Sequence, residues 1–294
     1  MLQPNNLLRL VPYTHLIPAN ELGWDELARL YNITRADYLV PMPMDGPRLQ
    51  EHAHAYDIAL DKSIVAIDGW GEPIGLGLLG IRDWQAWITR FGVVSSHRGQ
   101  GIGMSIVNAL LDAAWTTSAR NVALEIICGN DAARALFDRA GFSACREMLV
   151  LRRPPLAPAE VAVQDVHITT LRPHEIEWLL QRREDQPTWI NATASLRNLG
   201  KLTGLRARTL DGEESWIIFH RDPYVLSHFV FGPWVNAEIA MALLASVHQV
   251  YRKFDTKIEN IPVNSPYWPI LKQLGYVLAF RRCEMVIDRP APLA

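Results

Sequence analysis

The sequence repeats one pattern in its two halves. Residues 125–142 align with residues 259–276 at a constant offset, which pairs Asn130 with Asn264 and Gly141 with Gly275. Further along, the dipeptide Glu-Met follows both segments, at 147–148 and at 284–285. Because several helix stops and turns recur at nearly fixed spacing, the pattern indicates duplication of one folding unit.

Hydrophobic periodicity and turn residues predict the same order of elements in both halves. The first half is expected to contain a strand near residues 7–11, helices near 20–32 and 47–60, a hairpin turning at 68–69, a strand at 86–94, a helix at 102–117, a strand at 122–128, a helix at 131–140 and closing strands within 142–153. The second half repeats this order from residue 166. The predicted fold class is α/β with a mixed sheet, that is, two similar domains in tandem, each with a mostly antiparallel central sheet flanked by helices.

A proline-rich segment divides the chain almost in the middle. Pro154, Pro155 and Pro158 prevent helix continuation and favour an extended linker. A chain of 294 residues is long enough for two domains with separate cores. We therefore predict domains at residues 1–153 and 161–294.

Charge and composition exclude several classes of partner. The 29 basic and 31 acidic residues create no strong field, which argues against nucleic-acid and membrane-surface binding. No apolar run is long enough for a membrane span, and prolines interrupt the first 16 residues. The three cysteines lack C-x-x-C spacing, which indicates a reducing compartment and no metal site. We expect a cytoplasmic protein with small partners and the possibility of a homodimer.

The segment SSHRGQGIGMS, residues 95–105, joins a predicted strand to a predicted helix. Gly99, Gly101 and Gly103 would let a ligand approach successive backbone N–H groups, and the helix dipole favours a phosphate there. Arg98 adds positive charge. A tight turn that binds nothing would also explain the glycines. The segment is not a Walker A loop, because no Gly-Lys-Ser/Thr follows.

Two motifs carry a resemblance to a known family. Residues 98–103, RGQGIG, resemble the R/Q-x-x-G-x-G/A loop of the GNAT superfamily of N-acetyltransferases. Residues 124–142 resemble the second signature of that family, with matches at Asn130, Ala133, Leu136, Gly141 and Phe142. The resemblance implies acetyl-CoA as co-substrate, with its pyrophosphate on the glycine loop.

The resemblance also implies which residues hold the cofactor. The strand carrying Phe91 and Val93 would grip the pantetheine arm through its backbone, and the full expected set is Phe91, Val93, Arg98, Gly99, Gln100, Gly101, Ile102, Gly103, Met104, Asn130 and Phe137. At the matching place the second half reads FVFGPWVNAEIA, with one glycine and a proline that lacks an N–H donor. We therefore expect the second domain to be a degenerate copy without cofactor binding.

Two carboxylates are candidates for the catalytic base. Glu125 matches the glutamate that some members, notably ribosomal-protein acetyltransferases, use to deprotonate the acceptor. An ordinary strand carboxylate paired with an arginine is the alternative, and Glu259 at the matching place of the second half favours a role in the fold. Asp83, in the hairpin before the cofactor strand, is the second candidate; a solvated turn residue is its alternative.

One position departs from the family pattern. Phe137 stands where the family usually has the tyrosine that protonates the leaving thiolate, so water or a hydroxyl such as that of Tyr38 would have to serve, or the thiolate leaves unassisted. Asn130 suits a helix cap, a contact to the pantetheine amide, or both.

The implied function is direct transfer of an acetyl group to an amine of a small molecule or peptide in the first domain. The second domain would wall the acceptor site or mediate dimer contacts. A non-catalytic acyl-CoA sensor or scaffold is the alternative from another class.

Overall fold

The computed structural model describes residues 14–157 and 166–291. The strand predicted near residues 7–11, Pro158 of the linker and the predicted start of the second domain at residue 161 lie outside the described residues.

Within residues 14–157 the first half contains six strands and four helices, in the predicted order from the first helix onward. They are β1 (His15–Pro18), α1 (Trp24–Thr34), α2 (Gly46–Ala55), β2 (Ile64–Ile67), β3 (Pro73–Arg82), β4 (Gln85–Val93), α3 (Ile102–Trp115), β5 (Asn121–Ile127), α4 (Asp131–Arg139) and β6 (Ser143–Arg153).

Two details differ from the prediction for this half. The helix expected over residues 47–60 ends at Ala55, since Asp57 adopts a positive φ of 51° and its carboxylate pairs with Arg82 at 2.5 Å. The closing strands form one continuous strand, β6.

The second half repeats the same order of strands and helices. They are β7 (Val166–Thr170), α5 (Pro173–Gln181), α6 (Thr193–Leu199), β8 (Leu202–Thr209), β9 (Glu214–Asp222), β10 (Val225–Phe231), α7 (Ala237–Val250), β11 (Asp255–Pro262), α8 (Tyr267–Gln273) and β12 (Val277–Asp288).

All twelve strands form one sheet in the order β1-β2-β3-β4-β5-β12-β6-β11-β10-β9-β8-β7. The pairs β4–β5 and β10–β11 are parallel, and the other paired neighbours are antiparallel. The predicted α/β class with a mostly antiparallel mixed sheet is confirmed.

The two halves exchange their last strands at the centre of this sheet. The strand β12 pairs with β5 of the first half, from Arg282 opposite Ile127 to Asp288 opposite Asn121, while β6 pairs with β11 of the second half. The strands β6 and β12 also pair with each other. Each half therefore completes the other's sheet. The residue bounds of the two domains remain a prediction.

Helices cover both faces of the sheet and define the cores. The first half packs α3 against β2 to β5 through buried residues such as Ile106 and Leu110, and the second half packs α7 in the corresponding way through Leu243 and Leu244. Buried residues of α1 and α2 form a separate cluster on β2 and β3. In the described ranges we find no helix with the length and apolar character of a membrane span.

A segment of the second half also docks directly on the first half. The indole of Trp189 stacks on that of Trp87 with ring centroids 5.9 Å apart, and its Nε1 donates to the backbone oxygen of Tyr56 at 2.9 Å. Asn198 donates to Asp57 at 2.9 Å. These contacts fix the second half against the end of α2.

Candidate active site

The glycine loop between β4 and α3 has the conformation of an anion cradle. Gly99 and Gly101 adopt positive φ angles of 75° and 84°, and a Cβ added to either would meet no atom within 4 Å. Within the described chain, no backbone N–H group of residues 99–104 donates a hydrogen bond, and residues 102–104 open α3. A run of free donors at a helix N-terminus suits a phosphate group.

Arg98 anchors this loop to α1. Its guanidinium binds the carboxylate of Asp37 with both terminal nitrogens, at 2.6 and 2.8 Å, and also donates to the backbone oxygens of Val93 and Thr34. The positive charge that we predicted for the loop is thus shared with Asp37.

A cleft opens where β4 and β5 separate. Their parallel ladder runs from Gln85 opposite Asn121 to Ile88 opposite Leu124, and both strands continue beyond it. Arg90 has a positive φ of 49°. Ile88 and Phe91 both pack in the core beneath α3 although they are three residues apart, so the chain bulges between them and Arg90 lies on the opposite face.

The cleft has a volume of about 190 Å³, and residues of both halves line it. The first half supplies β4, β5, His52 of α2 and residues that follow α1, among them Arg35. The second half supplies Ile190, Lys257, Glu259 and Arg282. The second half therefore forms one wall of the cleft.

Glu125 lies in this cleft and is nearly buried, with 7% of its side chain exposed. Its carboxylate accepts hydrogen bonds from Asn260 Nδ2 at 2.8 Å and from Arg282 Nη1 at 3.1 Å. Burial raises the pKa of the carboxyl, and the charge of Arg282 partly opposes this. Glu125 thus lines the cleft and is also paired with an arginine, so its role as the base stays a prediction.

Glu259 occupies the matching position in the second half and contacts the same arginine. Its carboxylate binds Arg282 Nη2 at 2.7 Å and Lys257 Nζ at 2.5 Å. Although burial acts to raise it, the two cations bring the pKa of Glu259 well below its usual range. Arg282, from the exchanged strand β12, thus joins the two glutamates that the sequence repeat had aligned.

Tyr56 and His228 connect the halves next to this cluster. The Tyr56 hydroxyl lies 2.8 Å from Nε2 of His228, and His228 occupies a bulge of β10 with a positive φ of 53°. Burial raises the pKa of Tyr56, so the phenol stays protonated. Burial also lowers the pKa of His228 to about 4, so this imidazole is neutral near pH 7. Sequence reasoning missed both residues, because their pairing depends on how the halves dock.

Of the remaining residues predicted to bind the cofactor, Phe137 and Asn130 line the cleft, and the others lie in the core or on the loop and α3. Phe137 is buried, lines the cleft and packs edge-to-face on Phe91 at 5.4 Å. Asn130 caps α4 by accepting from the Ala133 N–H at 3.1 Å, and its Nδ2 lies 3.5 Å from the Tyr38 hydroxyl. Val93 and Ile102 are buried core residues, whereas the Gln100 amide donates to the Ser96 backbone oxygen and Met104 is half-buried in the first turn of α3.

Asp83 does not reach this site. It lies exposed in the β3–β4 hairpin, with a positive φ of 41°, and is not among the residues that line the cleft. The hairpin precedes the part of β4 that pairs with β5, whereas the cleft opens beyond it. Of the two catalytic candidates, the structure brings only Glu125 into the cleft.

The second half lacks the cradle at the corresponding place. The Gly232 N–H donates to the Trp216 backbone oxygen at 2.8 Å, and the Asn236 side chain caps α7 by accepting from Ile239 at 2.9 Å. The rings of Phe231 and Tyr267 lie 4.3 Å apart where the first half has its cleft. The loop has Pro233, which lacks an N–H, its described residues include no glycine with a positive φ, and aromatic rings fill the space.

Solved structures place this fold in a known class. A GCN5-related N-acetyltransferase from Sphaerobacter thermophilus is 18% identical with a TM-score of 0.71, over 95% of this chain and 96% of that one. A tandem GNAT protein from the clavulanic acid biosynthesis pathway is 14% identical with a TM-score of 0.65, over 95% and 100%. A putative acetyltransferase from Pyrococcus horikoshii is 13% identical with a TM-score of 0.63, over 98% and 93%. The chain therefore has the tandem GNAT fold.

Sequence comparison finds a family match in the first half of the chain. Residues 27–142 match the model of the Acetyltransferase (GNAT) family, so the chain carries a GNAT-family domain there, as the two motifs had indicated. Members of this family are acyltransferases. No curated protein matches the chain significantly in sequence.

The shared arginine gives a first prediction. Arg282→Met would leave two nearly buried carboxylates without their common cation, so we expect the free energy of unfolding to fall by about 3 kcal/mol or more at pH 7. The lowered pKa of Glu259 stabilises the folded parent protein at pH values above 4.5, the usual pKa of glutamate, and this stabilisation is lost as the pH falls. The difference in unfolding free energy between parent and variant should therefore shrink in acid.

Denaturant unfolding at several pH values measures this effect. Arg281→Met is the matched control, because Arg281 is the preceding residue of the same strand, is half exposed, and approaches Glu147 only to 3.7 Å. We expect its effect to stay within about 0.5 kcal/mol. Equal destabilisation by both variants would contradict a special role for Arg282.

Proposed function

We propose that this protein is an acetyl-CoA-dependent N-acetyltransferase that acts on an amine in the cleft of its first half, in the cytoplasm. The observation that carries the proposal is the glycine loop, whose free N–H donors lie next to a cleft between two separating strands. Membership of residues 27–142 in an acyltransferase family supports it. When bound, acetyl-CoA would supply an activated acetyl thioester.

The residues of the loop fit the pyrophosphate of this co-substrate. Residues 99–104 would hold the phosphates through backbone N–H groups, since the protein leaves open space where side chains of Gly99 and Gly101 would stand. The backbone of β4 around Phe91 would align the pantetheine arm, and Phe137 would pack against it. Asn130 would act chiefly as the cap of α4.

Proton transfer in the cleft would use two side chains. Glu125 would accept the proton of the attacking amine, because its burial raises its pKa toward the range of a useful base. Tyr38 would donate a proton to the leaving thiolate in place of the missing hydroxyl at Phe137, since it lines the same cleft beside Asn130. Asn260 and Arg282 would orient the Glu125 carboxylate.

The second half, residues 161–294 in our domain division, would serve as a wall and not as a second catalytic centre. Its loop, as the structure describes it, contains Pro233, which lacks an N–H, and no glycine with a positive φ, and Phe231 and Tyr267 fill the matching space. We therefore expect one acetyl-CoA site per chain.

The cradle is tested by Gly101→Ala. The added methyl group would occupy the open space above the loop and force a positive φ on a residue with a side chain. Loss of one charge-assisted hydrogen bond should weaken acetyl-CoA binding roughly ten- to hundredfold, as measured by calorimetry, which in the parent should show one site.

Gly71→Ala is the matched control for this experiment. Gly71 also has a positive φ, 90°, and also faces open space, but it lies in the turn between β2 and β3. Both variants should lose similar stability, about 1 kcal/mol, while only Gly101→Ala loses affinity. Equal affinity in both variants would mean that the loop is only a turn.

The base is tested by Glu125→Gln. If Glu125 accepts the amine proton, the variant should keep acetyl-CoA affinity, lose at least tenfold in kcat, and lose the rise of kcat with pH that reports deprotonation of a carboxyl. Glu259→Gln removes the other carboxylate on Arg282 and should retain that rise. The same pH profile in parent and Glu125→Gln would remove Glu125 from the mechanism.

A non-catalytic acyl-CoA sensor is the competing function, favoured by the absence of a hydroxyl at Phe137. Acetyl-CoA binding without turnover of any amine in a broad panel would support the sensor and overturn the enzyme.

A further inference from the structure

Two arginines in the cleft have no carboxylate partner. Six charged side chains line it, four basic and two acidic, namely Arg35, Arg90, Lys257, Arg282, Glu125 and Glu259. The two glutamates pair with Arg282 and Lys257. Among the described residues, no acidic side chain contacts Arg35 or Arg90, so the cleft carries an excess of two positive charges.

Arg90 is held in place without being neutralised. The bulge of β4 directs it away from the α3 core, and its guanidinium lies 5.4 Å from the ring centroid of Tyr31. Its Nη2 donates to Nδ1 of His52 at 3.2 Å, whereas its Nε is buried with no partner in the described chain. Burial lowers the pKa of this arginine, and its nearest charged neighbours, Arg35 and Arg282, add repulsion.

His52 offers a further free donor at the same place. Only 7% of the residue is exposed, and burial together with the charge of Arg90 lowers its pKa, so the ring is neutral. Because arginine can only donate, Nδ1 is the acceptor and the proton resides on Nε2. That N–H is buried and no partner for it is present in the described ranges. An isolated buried donor beside an uncompensated cation is costly unless a ligand completes it.

We propose that Arg90, with Arg35 and His52, is the receptor for a carboxylate on the acceptor, so that the enzyme acetylates small amino acids or closely related amino-carboxylates. This inference rests on the proposed function and names its substrate class. The Arg90 guanidinium would take the carboxylate in a two-bond fork, Arg35 would add charge, and His52 would hold the Arg90 guanidinium in place through Nδ1.

The register of the sheet explains how the amine reaches the base. The last paired positions of β4 and β5 are Ile88 and Leu124. Glu125 is the next residue of β5 and Arg90 lies two residues beyond Ile88, so they line the opening from opposite strands. A ligand with a carboxylate at one end and an amine at the other would span the cleft from Arg90 to Glu125. The volume of about 190 Å³ favours a small ligand.

Two independent assays test this inference. In the turnover assay, primary amines are supplied in pairs that differ only by a carboxylate, an α-amino acid and its decarboxylated amine. We expect kcat/KM to favour the carboxylate form by roughly ten- to hundredfold, the value of a charge-assisted fork. In the binding assay, calorimetry compares N-acetyl amino acids with their neutral amides, which requires no turnover.

Arg90→Met should abolish both preferences, and Arg90→Lys should retain part of them, because it keeps the charge and loses the fork. Arg29→Met, on the exposed side of α1, is the control and should keep both preferences. A thermal melt adds a readout that distinguishes the roles. Removing an uncompensated buried charge should leave Tm unchanged or raise it, whereas a purely structural Arg90 would lower Tm.

The outcomes separate the two proposals. Two results would overturn the carboxylate receptor but not the transferase. The first is equal acetylation of amines with and without a carboxylate, and the second is equal binding of N-acetyl amino acids and their amides. Absence of turnover together with Arg90-dependent binding of N-acetyl amino acids supports the receptor and overturns the transferase.

Discussion

The exchange of β6 and β12 at the centre of the sheet is the constraint on which the rest of this structure depends. An isolated half would leave the edge of β5 or β11 open, and an open edge exposes unpaired backbone groups. Here β12 covers β5 and β6 covers β11, so both edges are closed by the partner half. The exchange also carries Arg282 to the point where it joins Glu125 and Glu259. One topological feature thus closes the sheet and organises the buried charges.

The two halves differ at the centre of the sheet, although the exchange of strands is the same for both. Both have a bulged strand and a buried glutamate near the centre, with Arg90 and His228 at the bulges and Glu125 and Glu259 on the neighbouring strands. In the second half Glu259 is neutralised by Lys257 and aromatic rings fill the opening. In the first half the opening stays free and retains positive charge. The duplicated half therefore contributes side chains to its partner's cleft.

Local patterns were sufficient for most of the fold and for the cradle. Turn residues such as Asp68-Gly69 and Asp211-Gly212, the glycine loop and the recurring helix stops are properties of short segments, and the structure places elements close to where they predict them. The continuity of β6 was missed because it depends on pairing with β11 and β12. The end of α2 at Ala55 was missed because it depends on the Asp57–Arg82 ion pair.

The contents of the cleft could be predicted only in part. Glu125, Asn130 and Phe137 follow from a motif, so the sequence was enough to nominate them. Arg90 and His52 could not be recognised, because a bulge and a helix bring them together. Arg282 reaches the cleft because β12 is exchanged, and the Tyr56–His228 pair forms because the halves dock. Neither feature can be read from a short segment of sequence. Asp83 was nominated from its position near the cofactor strand, and the register of β4 places it outside the cleft.

The central claim is that the two halves form one folding unit, and a fragment of residues 1–153 tests it most directly. Without β12 the whole edge of β5 from Asn121 to Ile127 would be exposed. We expect this fragment either to pair with a second copy through β6, giving a dimer by light scattering, or to fail to unfold cooperatively. A monomeric fragment that unfolds cooperatively and binds acetyl-CoA as tightly as the full chain would contradict it.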